Sequence, residues 1–195
     1  SLNTDGDMTL DPPGSIAIVG AGTHGIETGL YGRFLGYDVT ILERGEIGNN
    51  MRSVSSADLV VLPDQCLSPL ALSAVATQQA AENPESPPLV HPTTVSAWIE
   101  EGLIPLSSSD LLRGRIKTDH LVTSIDAIPL ELENDSEDAS DIPADFQIRF
   151  TDSAGVEDTL QVEAVLIATG SQCDIKLMFP LPCPYLHHIG SNSPR

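Results

Sequence analysis

The chain has 195 residues, 41% of them hydrophobic, with 9 basic against 28 acidic side chains and a formal charge of −19. That length reads as one domain, or one domain with an appendage, with a core large enough to need no disulfides, and no apolar run approaches the roughly 18 residues of a membrane helix. So acidic a chain repels phosphate backbones and anionic lipid, which sets nucleic acid and membrane surfaces aside as partners.

Residues 1–13 form a polar leader with neither the basic head nor the apolar stretch of a signal peptide. Cys66, Cys173 and Cys183 are odd in number and form no C-x-x-C, which points to a reducing cytoplasm rather than a disulfide framework. After the leader, "SIAIV" (15–19) reads as a short buried strand bounded by Gly14 and Gly20. Thr23 to Gly36 reads as a helix, with Ile26, Leu30 and Phe34 at four-residue spacing and Gly36 as its stop. "YDVTILE" (37–43) alternates as a second strand that sets Val39, Ile41 and Glu43 on one face. Together these make a βαβ unit.

Further along, "LVVLP" (59–63) has strand composition and Ser68 to Ala81 reads as an Ala/Leu-rich helix, before "ENPESPPLVHP" breaks regular structure. "TTVSAWIEEG" reads as a short helix with a threonine cap, Gly102 past its end, and Trp98, the only tryptophan, in the core or as a pocket wall. From Arg115 the period changes: "RIKT", "HLVTSIDAI", "FQIRFTD" and "EDTLQVE" read as a meander of short strands, and "AVLIATG" as one more buried strand. The acidic run at 131–145 reads as a solvated loop, and 173–195 as a proline-rich tail.

Gly20, Gly22 and Gly25 fit G-x-G-x-x-G between the first strand and its helix. Gly20 permits the tight turn, Gly22 lets main chain approach a pyrophosphate, and Gly25 lets helix and strand pack closely. The helix N-terminus then offers free N–H groups and a partial positive charge to the diphosphate. Thr23 and His24 complete the turn. Glu43 ends the next strand about twenty residues on, where a carboxylate accepts hydrogen bonds from an adenosine ribose and repels a 2′-phosphate, despite Arg44 beside it. These residues alone leave FAD and NAD both open.

"GAGTHGIETGLYGRFLGYDVTILERGEIG" resembles the FAD-binding opening of flavoproteins with two dinucleotide-binding domains, the pyridine nucleotide-disulfide oxidoreductase and flavin monooxygenase superfamily. "VEAVLIATGS" (162–171) resembles the strand and A-T-G signature that follows the β-meander in those proteins. The resemblance implies an α/β fold: a Rossmann-like FAD/NAD(P)-binding domain over 14–172, with a central parallel sheet, helices and a β-meander. By the same resemblance Gly20, Gly22 and Gly25 cradle the FAD pyrophosphate and Glu43 holds the ribose. Val122 would lie near the adenine, while Thr169 and Gly170 close the site.

The chain lacks the dithiol of the disulfide reductases, and no catalytic acid, base or nucleophile stands out. Cys183, His187 and His188 form C-x3-H-H without a clear fourth ligand, so no metal site is assigned. The leading expectation is a flavin-dependent oxidoreductase with FAD bound, NAD(P)H as electron donor and an unidentified acceptor. One alternative is a dinucleotide-binding module, truncated or without catalysis of its own, that needs a further region or partner. Another is an NAD-dependent dehydrogenase. A small-molecule dinucleotide is the expected partner, with homo-oligomerisation open.

Overall fold

The computed structural model describes residues 12–58, 67–82, 94–129 and 144–170. Its first elements are β1 (Ser15–Val19), α1 (Thr23–Phe34) and β2 (Asp38–Leu42). β1 and β2 pair in parallel from Ser15↔Asp38 to Val19↔Leu42, so the helical crossover is the βαβ unit expected from the hydrophobic pattern. α1 stops before Gly36, whose φ of +93° lies in the region favourable to glycine.

The buried face of α1 differs from the expected Ile26, Leu30, Phe34 line. It consists of Gly25, Ile26, Gly29 and Leu30, whereas Phe34 is 61% exposed. The glycines let the helix settle onto the sheet, and a Cβ on Gly29 would lie 2.6 Å from Cδ1 of Ile41. Phe34 falls about two and a half turns on from Gly25, which carries it round to the outer side.

α2 (Asn49–Arg52) and α3 (Pro69–Glu82) follow. Thr94 caps the next helical segment, its hydroxyl oxygen accepting the Ala97 N–H at 3.2 Å. That segment does not end at Gly102. α4 (Val95–Trp98) runs through a π-helical turn (Ile99–Leu103) into α5 (Ile104–Ser107). Pro105 explains the wider turn, since it has no N–H to donate four residues back. The Glu101 carbonyl is satisfied instead by the side-chain amide of Gln79 at 2.8 Å. Gly102 lies inside the helix because Trp98 covers it.

The strands β3 (Ile116–Lys117), β4 (Leu121–Pro129), β5 (Ala144–Thr151), β6 (Glu157–Val162) and β7 (Ala164–Ile167) complete the fold. β3-β2-β1-β7 form a parallel sheet, and β4-β5-β6 form a separate antiparallel meander. "RIKT" therefore joins the sheet beside β2 rather than the meander, and "AVLIATG", read as buried, supplies an edge strand paired on one side only among the described residues, with Leu166 and Ile167 exposed. Alternation along each strand divides the core in two. Ile18, Val39 and Ile41 pack with Ile26, Leu30, Trp98 and Leu103 on the helical side. Ala17, Val19 and Leu42 pack with Val122, Ile125, Ile148, Phe150 and Val162 on the meander side. The parallel sheet is thus a middle layer, and the C-terminal ends of β1, β2 and β7 meet at one corner.

The readings of residues 1–11 of the leader, of 59–63 as a strand, of 83–92 as irregular, of the acidic run and of the tail lie outside the described residues, apart from residues 144 and 145 of the run. Among the described residues no helix is long and apolar enough to cross a membrane.

Candidate functional site

The glycine turn occupies that corner and is tied to the elements around it at Gly20, Ala21 and Gly25. Gly20 donates its N–H to the Leu42 carbonyl at 2.8 Å. Its φ is +110°, and a Cβ there would lie 2.6 Å from the Ala168 carbonyl oxygen. The turn therefore needs glycine at this position both for conformation and for space. Ala21 is fully buried. Its N–H is accepted by Oε2 of Glu43 at 2.7 Å, and its carbonyl accepts the Gly48 N–H at 3.0 Å.

Gly25 and Gly22 lack side chains for opposite reasons. A Cβ on Gly25 would lie 2.0 Å from the Gly20 carbonyl oxygen, so α1 is held hard against the turn. A Cβ on Gly22 would meet nothing within 4 Å. The bare main chain at Gly22 faces open space, leaving room for a ligand to approach. No side chain caps α1, whose first helical hydrogen bond runs from the Ile26 N–H to the Gly22 carbonyl at 3.0 Å. The N–H groups of Thr23, His24 and Gly25 precede it and have no partner within the helix. With the helix dipole behind them they suit an anionic oxygen. His24 is exposed beside them.

Glu43 is 7% exposed. Besides Ala21, its carboxylate accepts the Gly45 N–H at 3.1 Å, while its main chain bonds Lys117 and His120. This acid binds the glycine turn to the end of β2, a structural duty that spacing alone did not disclose. Each carboxylate oxygen retains a further lone pair for an outside donor.

Arg44 is exposed and donates to Oδ1 of Asn50 at 2.6 Å; Asn50 in turn donates through Nδ2 to the Thr169 carbonyl at 2.8 Å. Gly170 follows at φ +76°. Asn50 was not expected at the site, because in sequence it is one more polar residue in a turn-rich stretch. Only the fold sets it between the ends of β2 and β7. Thr23 also has an unforeseen partner: the Trp98 indole Nε1–H donates to its hydroxyl at 3.3 Å.

The structure thus gathers Gly20, Gly22, Thr23, His24, Gly25, Glu43, Arg44, Thr169 and Gly170 around one corner. Val122 is elsewhere in character: 5% exposed, it packs in the core between sheet and meander. No cluster of metal-ligating side chains occurs among the described residues, and Cys183, His187 and His188 lie outside them.

No family model and no curated protein sequence matches the chain. Solved structures do. The bacillithiol disulfide reductase of Staphylococcus aureus superposes with a TM-score of 0.50 at 13% identity, over 80% of this chain and 38% of that one. The reductase from Bacillus cereus gives 0.49 at 14% identity, over 80% and 40%. The FAD-bound form of OTEMO gives 0.49 at 17% identity, over 86% and 27%. At such identities the likeness is one of fold. The Rossmann-like α/β architecture that the two sequence motifs implied is the architecture of this chain. It spans 38% of the length of the staphylococcal reductase.

Proposed function

We propose that this chain is the FAD-binding part of a flavin-dependent oxidoreductase. The observation that carries the reading is the contrast at the glycine turn. Gly20 and Gly25 are closed by neighbouring main chain, whereas Gly22 faces open space beside an uncapped helix. A merely structural turn has no need of the bare, open Gly22. The pyrophosphate belongs against the N–H groups of Thr23, His24 and Gly25, and the adenosine ribose against Glu43 and Arg44. Thr169 and Gly170 border the other side. Val122, buried between the sheet and the meander, is not part of this set.

Bound there, the flavin would carry the electron transfer, and the protein would supply binding and orientation. NAD(P)H is the proposed electron donor. We place the protein in the cytoplasm, with the dinucleotide as its partner and self-association as an open property of the assembly.

A second reading has support in the coverage: a chain spanning 38% of the staphylococcal reductase would bind the dinucleotide while a further region or partner completes catalysis. Absorbance separates the readings. Reconstitution with FAD should give flavin bands in the blue and near-ultraviolet that remain with the protein on gel filtration. Bands without NAD(P)H oxidation support the binding module. A colourless protein protected against heat by NAD alone supports the dehydrogenase reading instead.

A further inference from the structure

We propose that Trp98 is a positioning residue for the dinucleotide, acting through Thr23: it fixes the Thr23 hydroxyl as a hydrogen-bond donor to an anionic ligand oxygen. This rests on the FAD reading above.

Gly102 makes room for the indole ring. A Cβ there would lie 2.1 Å from Cζ3 and 2.3 Å from Cε3 of Trp98, so the indole occupies the space that any other residue would fill. Trp98 is 4% exposed and has no room to turn aside. The ring is held from below by the same helical segment that carries it, and its polar edge is aimed at the first residue of α1.

An indole N–H donates and never accepts. At 3.3 Å from Nε1, the Thr23 oxygen must therefore be the acceptor. One of its lone pairs is taken, and its proton is left to donate. Among the described residues the partner of that proton is Sδ of Met51 at 4.0 Å, a weak sulfur acceptor at the limit of hydrogen bonding. A phosphoryl oxygen arriving at the α1 N-terminus is a far stronger acceptor. The indole thus prepares a donor that a freely rotating hydroxyl would offer only part of the time.

The free protein gives the first test, without any cofactor. As the only tryptophan, Trp98 contributes one indole Nε1–H resonance to an NMR spectrum of 15N-labelled protein. Thr23→Val should shift that resonance markedly, and Thr23→Ser should restore its position. A resonance indifferent to Thr23→Val overturns the proposal.

Affinity gives the second. Thr23→Val should weaken FAD about tenfold, the loss of one hydrogen bond to a charged oxygen, and Thr23→Ser should recover most of it. Trp98→Phe keeps an aromatic ring but removes the N–H, and should weaken FAD roughly threefold in the native background. In the Thr23→Val background it should have no further effect. Equal losses in both backgrounds mean that Trp98 serves packing alone, and overturn the proposal while leaving FAD binding intact. If the native protein binds neither FAD nor NAD(P)H, the functional reading itself fails and takes this inference with it.

Discussion

Oε2 of Glu43 accepts the buried N–H of Ala21 at 2.7 Å, so the acid that ends β2 is built into the glycine turn after β1. Its other oxygen accepts the Gly45 N–H at 3.1 Å. Glu43→Ala should therefore do two things at once. It leaves both N–H groups without this acceptor, at a cost of at least about 2 kcal/mol, which corresponds to a fall in Tm of roughly 4–8 °C. It also weakens FAD by about 1–3 kcal/mol through the lost ribose contact. Glu43→Gln, which keeps an acceptor oxygen, should fall between the native protein and the alanine variant in thermal melts.

The glycines separate stability from binding more cleanly. Gly22→Val places its side chain in open space, so the melting temperature should stay within a few degrees of native while FAD binding is abolished. Unchanged affinity would reduce the turn to a connection between strand and helix.

Gly25→Ala should behave in the opposite way. Its methyl group would lie 2.0 Å from the Gly20 carbonyl oxygen, a main-chain atom that cannot rotate aside. Overpacking of this kind costs about 1–3 kcal/mol or more, and calorimetry should register a clear loss of stability even without ligand. An alanine variant as stable as native would mean that α1 stands further from the turn.

Asn50→Ala removes the link between Arg44 and the Thr169 carbonyl. Asn50 is exposed, so the melting temperature should barely change. Titration calorimetry should show FAD bound about three- to tenfold more weakly, as the A-T-G side of the corner loosens. Equal affinities would leave the bridge a surface detail.

What could be read from the sequence followed local physics. Alternation along "YDVTILE" and the glycine spacing at 20, 22 and 25 depend on neighbours within one strand or one turn. The strands, the crossover and the turn all stand where those patterns put them. Phe34 misled because spacing cannot register that glycines, not large apolar side chains, form part of the inner line of α1. Gly102 misled in the same manner: a glycine that ends helices elsewhere here makes room for an indole. Asn50 and the Trp98–Thr23 bond were beyond reach, since each joins segments that meet only once the sheet has assembled.

The close contact of Gly20 with Ala168 has a consequence for how the protein is made. On the ribosome, β1, α1 and β2 emerge early and can pair locally, but β7 must arrive from the far end of the described chain before this corner is closed. Pairings so distant in sequence form slowly. On the FAD reading proposed above, capture of the coenzyme would then be among the last events of maturation, and a nascent polypeptide stalled ahead of residue 164 should carry the complete glycine motif yet hold no flavin.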